Sequence, residues 1–480
     1  MDNVPHPRPR PMYPVPVTRE NLEAIFQGAG DFTIRKIRSR GQTIRVYSID
    51  GLVSSSELSD FVVKPLMMAD GPLDGELAEE LVIYNAVGSR VLDMDDAVSK
   101  LVNGFCVVLF AEGDAAAFEV KTGEKRGISQ PEVENTIKGA KDAFTETVRT
   151  NTSLVRRHLR TPELRLEEQV VGRRSLTNVT LCSIAGITNH ALVEAVSRRL
   201  AEIEIDGMMT PAAVEEYLTG GRKTAFPLMI FTERADRFAW GLLAGRVGIL
   251  VDGLPLGYLL PCTLTDFLES PEDRGGNYVV ASAIRVLRAV SLAAALLMPG
   301  LFAAISLYHQ EMIPLVLLRA IVESRQSVPL STGGEVLLLL IAFELLQEAG
   351  LHLPQNLGQA VSIIGGLVVG SAAVEASLIS PAALIVVAAA GICGFALPER
   401  DFADAVRVWR FAIALGGVLG GLAGGTMVFM LLLIHLGDLS SLGVPYLGAE
   451  GAGHVLMRPR LVTEKRRDRK LSPFNGRNQR

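Results

Sequence analysis

The sequence predicts an α+β cytoplasmic region, built as two α/β subdomains, followed by an all-α polytopic transmembrane domain. Three observations predict it. Charged residues are dense up to about Arg274 and again after Met457, and sparse between them. From Leu357 to Pro398 the only formally charged side chain is Glu375, and an apolar run of about 40 residues is long enough to cross a bilayer twice. Ahead of the sparse zone, short β-rich runs alternate with helical patterns. No apolar run of spanning length occurs before about Tyr278, which keeps the preceding residues on the cytoplasmic side.

Residues 1–20 carry Pro5, Pro7, Pro9, Pro11, Pro14 and Pro16 among Arg8 and Arg10. That pattern precludes a helical signal-peptide core and reads as a disordered lead-in. The first subdomain, 21–135, is placed by Thr43 to Ile49, which alternates like a strand and stops at Asp50-Gly51, and by Phe105 to Phe110 and Ala115 to Val120, a hairpin turned at Glu112-Gly113-Asp114. A helical connector is expected from about Glu132 to Leu159. The second subdomain, grouped with most of that connector as 136–275, has a β-rich start at Leu176 to Ile184 and a helix from about Asn189 to Glu202. No repeat of fixed period is visible, so whether the two halves share an architecture stays open.

The transmembrane domain, 276–440, holds apolar segments at about 282–308, 311–322, 335–350, 359–378, 381–397 and 408–436. The segment 311–322 is short and carries Arg319, and 335–350 carries Glu335, Glu344 and Glu348. Both are expected to be re-entrant, interfacial or shielded within a bundle. Basic residues after the last segment (Arg458, Arg460, Lys465, Arg466, Arg467, Arg469, Lys470), with Arg285 and Arg288 at the first, place both ends in the cytoplasm. That requires an even number of crossings: four full spans (282–308, 359–378, 381–397, 408–436), with six as the alternative. The basic cytoplasmic tail, 441–480, reads as a topology anchor, or as a contact for anionic lipid headgroups; it does not read as a nucleic-acid site.

No phosphate loop, HExxH, GxSxG or paired CxxC occurs, and the seven histidines are scattered. The chain therefore does not read as an enzyme. Cys106, Cys182, Cys262 and Cys393 are isolated, so no metal or other cofactor is expected. Glu375 differs, because an ionised carboxylate at mid-membrane costs a few kcal/mol unless it faces a partner or water. On a helix, Ser362, Gly366, Gly370 and Val374 form one row beside Ser371 and Glu375; this small, weakly polar face suits a pore lining or a tight helix contact. Gly416, Gly420 and Gly424, and Gly417, Gly421 and Gly425, form two GxxxG series that predict helix packing. The glycines leave open whether the partner helix is in this chain, a second copy or another protein.

Two longer stretches resemble the A subunit of the GerA family of spore germination receptors. Gly139 to Arg157 is similar to that family's G-x-K-x-x-F-x-E-x-x-x-x-N-x-x-L-x-R-R signature, and Leu353-Pro354-Gln355 to Pro381 is similar to its P-Q-x-x-G…S-I-x-G-G-L-x-x-G-x-A-A-V-x-A-x-x-x-S-P motif. Asn356-Leu357 departs from the second. The resemblance implies a multi-pass subunit of the spore inner membrane that works with a transporter-like B subunit, the expected nutrient binder, and a lipoprotein C subunit. It also implies self-association, as pentamers, into a nutrient-gated cation channel.

Within that implication the pore or gate candidates are Ser362, Gly366, Val369, Gly370, Ala373 and Glu375. Lys141, Arg149, Asn151, Arg156 and Arg157 would lie on a helix coupling the cytoplasmic subdomains or neighbouring subunits, although the residue pattern alone favours a solvated charged helix. Three other readings stand beside this one: a secondary transporter with broken helices near Ser380-Pro381, a non-conducting membrane scaffold, and a stage-V sporulation paralogue that amplifies ion release.

Overall fold

A computed structural model describes residues 12–121, 131–352 and 371–448, apart from 40, 70, 84, 85, 132, 133, 135, 137, 209 and 222, and apart from the side chains of 350–352. The described residues divide into two compact units, 12–221 with Met229–Pro261, and Lys223–Leu228 with 262–448.

The first unit contains two five-stranded sheets. Helix α1 (Arg19–Ile25) precedes β1 (Phe32–Ser39) and β2 (Gln42–Ile49). Helical stretches over 55–68 and 75–82 lead to β3 (Gly88–Arg90), followed by α2 (Met94–Val102), β4 (Phe105–Ala111) and β5 (Asp114–Glu119). The strand order is β1-β2-β4-β5-β3, antiparallel throughout. Strand β4 is an unbroken apolar run because both its faces are covered. Val108 and Phe110 pack with Val62 and Leu66 on one side, while Val107 and Leu109 pack with Met94 and Leu101 on the other.

The second sheet repeats this plan. Helix α3 (Val148–His158) precedes β6 (Leu164–Val171) and β7 (Thr177–Ile184). Then come α4 (His190–Ala201), α5 (Pro211–Thr219), β8 (Ile230–Thr232), α6 (Ala235–Leu243), β9 (Val247–Val251) and β10 (Gly257–Leu260). The order β6-β7-β9-β10-β8 is the first sheet's order shifted by five strands, again antiparallel. Even the glycine between the last helix and the fourth strand recurs. Gly104 and Gly245 both take a left-handed conformation, φ +85° and +91°, that turns the chain from helix into strand. The two halves therefore share an architecture without a repeat that the sequence displays.

Of the helical connector expected from about Glu132 to Leu159, the described residues are helical over Val148–His158. Just before it, Ala143 forms a bridge with Arg234 and the Phe144 N–H donates to the Glu233 carbonyl, so this stretch is extended. Sheet-edge pairing and burial of Phe144 against Phe238 override helix propensity there.

In the second unit, α7 (Tyr278–Tyr308) is capped by Asn277, whose side chain accepts from the Val279 N–H. Arg285 and Arg288 at its start are held by Glu269 and Asp273, so the residues just before the helix belong to this unit. A single-turn helix (Gln310–Met312) and α8 (Leu315–Arg325) follow, then α9 (Thr332–His352), α10 (Pro381–Phe395) and α11 (Arg400–Asp438). Helix α9 runs antiparallel to the first part of α11: Gly333 lies against Val418 at one end, and Glu344 pairs with Arg407 and Arg410 at the other.

Helix α11 is two helices. The backbone leaves helical geometry at Gly420 and Gly421, and beyond them the chain turns back on itself. Trp409 and His435, which a straight helix would hold far apart, lie with ring centroids 5.7 Å apart. The segment 408–436, read from sequence as one crossing, is thus the main part of a helical hairpin.

Candidate functional site

The polar centre of the helical unit is Glu335, in the first turn of α9. It is fully buried. One carboxylate oxygen accepts from the Ser380 hydroxyl at 2.6 Å and from the Ser380 N–H at 3.1 Å. The other accepts from Nε of Arg325 at 3.3 Å. Ser380 is itself the N-cap of α10, accepting from the Ala383 N–H ahead of Pro381. The Ser380-Pro381 break is therefore a capped helix start, bound by its serine to a buried acid. Beside it, Ala303, Val336, Leu340, Ala383 and Ala414 form an apolar core.

Arg325 also lines a cavity of about 340 Å³ with Ser306, Gln310, Ile313, Leu318 and Gln326. Among the described residues, the buried hydroxyls of Ser306 and Thr332 have no hydrogen-bond partner.

Of the pore or gate candidates, Ser362, Gly366, Val369 and Gly370 lie outside the described residues. Ala373 is half-buried and packs on the apolar core. Glu375 is exposed on the last residue of a helical stretch over 371–375, after which Ser377 adopts φ +52° and the chain turns toward Ser380. Glu335, by contrast, is enclosed. Of the three readings the sequence left for the segment 335–350, re-entrant, interfacial or shielded within a bundle, the burial of Glu335 fits the last.

The glycine series serve the hairpin. A Cβ on Gly424 would fall 2.3 Å from the Gly416 carbonyl oxygen, and one on Gly417 would fall 2.5 Å from that of Gly300 in α7. Gly425 lies beside Gly417. Gly420 and Gly421 make the turn, where Gly421 faces the Tyr308 ring. The Tyr308 hydroxyl donates to the Val418 carbonyl at 3.0 Å. The backbones approach closely because no side chain stands between them, and the partners lie within this one segment and α7.

In the first unit, α3 joins the two sheets. Arg156 is 1% exposed and grips Asp31, ahead of β1, through two 2.7 Å hydrogen bonds, while donating to the Thr161 and Leu164 carbonyls at the start of the second sheet. The Ser153 hydroxyl donates to the Gly51 carbonyl, and Arg149 pairs with Asp50 at the surface. Asn151 is buried and exchanges hydrogen bonds with the backbone of Thr145, fixing the approach to the helix. Arg157 is half-buried, and Lys141 is exposed ahead of the helix in the extended stretch. The helix is thus a buried join for Asn151 and Arg156, where the residue pattern alone favoured a solvated face.

Two further groups lock the stretch before α3. Arg234, also buried, bonds Asp236, Thr136 and the carbonyls of Glu134 and Ala140. Asp142 and His158 pair at 2.7 Å. The shared hydrogen bond holds the Asp142 carboxyl below its ordinary range and raises the His158 imidazole above its own.

Comparison with known proteins follows this architecture along its length. The family model for the Bacillus/Clostridium GerA spore germination protein matches residues 20–469. Spore germination protein KA of Bacillus subtilis is 32% identical over 475 residues, covering 95% of this chain and 87% of that protein. Spore germination protein GerQA of Bacillus cereus is 35% identical, covering 89% and 86%. The uncharacterized membrane protein YfkQ of Bacillus subtilis is 32% identical, covering 89% and 84%. Among solved structures, the N-terminal domain of the A subunit of the Bacillus megaterium spore germinant receptor GerK3 is 28% identical, covering 50% of this chain and 91% of that domain with a TM-score of 0.40. With a match that takes in both sheets and the helices after them, the chain belongs to the GerA family of spore germination proteins.

Proposed function

We propose that this chain is the A subunit of a spore germinant receptor, an oligomeric, nutrient-gated cation channel of the spore inner membrane. It would act with a transporter-like B subunit and a lipoprotein C subunit, its two-sheet unit in the cytoplasm. The observation that carries this reading is the contrast within the helical unit. Glu335 is enclosed and hydrogen-bonded at a helix start, while Val290, Ile385, Ile392, Leu419 and Ile434 are exposed on the helices. Apolar surface outside and a satisfied acid inside suit a bundle surrounded by lipid and by other subunits.

In this reading α7, α9, the 359–378 segment, α10 and the two legs of α11 make six crossings, with α8 at the surface. Ser362, Gly366, Val369, Gly370, Ala373 and Glu375 line the pore or its gate, and five copies surround it.

Cysteine substitutions along 362–375, probed with a membrane-impermeant thiol reagent in resting and nutrient-treated spores, test the pore assignment. Labelling of one helical face that rises on nutrient addition is expected. A face sealed in both states would contradict it.

A further inference from the structure

The outermost strands of the two sheets, β1 and β6, occupy the same place in the shared strand order and carry opposite charge. On β1, Arg35, Lys36 and Arg38 are exposed; on β6, Glu167 and Glu168 are. Each edge also exposes one aliphatic side chain, Ile34 at 40% and Val170 at 62%.

The backbone says which residues face outward. The Asp50 N–H donates to the Asp31 carbonyl in continuation of the β1–β2 ladder. Odd-numbered residues of β1 therefore bond β2, and Ile34, Lys36 and Arg38 turn their N–H and C=O groups away. The Ala185 N–H donates to the Glu163 carbonyl in the β6–β7 ladder, so on β6 the outward residues are Leu166, Glu168 and Val170. The Leu166 carbonyl is taken by the Gly30 N–H, leaving Glu168 and Val170.

Among the described residues no strand pairs with these edges; such edges are templates for another strand, and like charges keep identical edges apart. Two β1 edges would set cations against cations, and two β6 edges carboxylates against carboxylates. A β1 edge meeting a β6 edge satisfies both.

We propose that a second copy of this chain docks its β6 edge on β1, antiparallel, with Lys36 opposite Glu168 and Ile34 opposite Val170. Both pairs join outward-facing residues, as a hydrogen-bonded antiparallel pair requires. Gly30 ends the pairing at Leu166. The contact is head-to-tail, so each copy keeps one free β1 or β6 edge for the next, and the assembly closes as a ring or grows. This deepens the self-association proposed above by naming its surface.

The test uses two differently tagged full-length chains, one Ile34→Cys and one Val170→Cys, both carrying Cys393→Ala; the other native cysteines are buried. Opposed Cα atoms in such a pair lie about 5.5 Å apart, within disulfide range. Mild oxidation of the co-expressed, membrane-reconstituted protein is expected to link the two tags, whereas Ile34→Cys with itself does not. Lys36→Glu lowers the yield about threefold, and Glu168→Lys in the partner restores it. Assembly intact by light scattering without this crosslink, or with equal self-crosslinking of Ile34→Cys, would overturn the surface and leave self-association standing. A wild-type protein that is monomeric by light scattering would overturn both.

Discussion

Arg156 and Asp31, 125 residues apart, are joined by two parallel hydrogen bonds of 2.7 Å. The pair is the buried centre of the join between two sheets of the same strand order, and the arginine's other donors close onto carbonyls of the second sheet's first turn. Arginine suits this place because its planar fork meets a carboxylate bidentately and still has donors to spare.

Removing one partner of such a pair leaves the other buried without a counter-charge. Arg156→Ala is expected to destabilise the first unit by about 3 to 5 kcal/mol, and Arg156→Lys to recover only part of that. Urea unfolding followed by far-UV circular dichroism measures the first. Limited proteolysis at the junction, faster in both variants, shows where the loss lies.

The Asp142–His158 pair gives that junction a pH dependence. The His158 pKa lies above its ordinary 6.5 in the folded chain, so its stabilisation is fully present below pH 6.5 and is lost as pH rises through the raised value. The Asp142 pKa lies below its ordinary 3.8, so its share is present above pH 3.8 and is lost as pH falls through the lowered value. The pair is complete between those two pH values. Thermal unfolding at stepped pH is expected to show a wild-type advantage over His158→Gln that declines above pH 6.5.

Glu335 holds Ser380 and Arg325 together at the start of two helices. Glu335→Ala is expected to cost roughly 1 to 3 kcal/mol by removing the acceptor of the buried Ser380 hydroxyl and the counter-charge of the partly exposed Arg325 guanidinium. Glu335→Gln keeps an acceptor for Ser380 and is expected to cost about half as much. Thermal shift of the detergent-solubilised protein ranks the two.

The hairpin of α11 separates two glycines of one motif. Gly424→Val places side-chain atoms into the Gly416 carbonyl and is expected to abolish folded yield, an overpacking cost of about 3 kcal/mol or more. Gly420→Ala meets no atom within 4 Å at φ −131° and is expected to stay within about 0.5 kcal/mol of wild type. Size-exclusion profiles of the two variants decide this.

What the sequence displayed followed from how local the cause was. The strand at Thr43 to Ile49 and the 105–120 hairpin are legible because burial writes itself into alternation or into an unbroken apolar run. The common plan of the two sheets is not, since different residues fill the same positions. The extended stretch before α3 is fixed by distant partners, Glu233, Arg234 and Phe238, that no local pattern reports. The hairpin in α11 is hidden because Gly420 and Gly421 continue a GxxxG spacing that a single helix would also show. Glu335 is hidden for a similar reason, since its meaning depends on Ser380, 45 residues away.

The central claim is that the helical unit forms a cation-conducting assembly, and flux through purified protein in liposomes tests it most directly. Wild type is compared with Gly370→Trp and Glu375→Gln, each confirmed by light scattering to assemble, with and without the B and C subunits and nutrient. Cation flux that either substitution alters is the predicted result. An assembled wild-type complex that stays silent with partners and nutrient present would contradict the account.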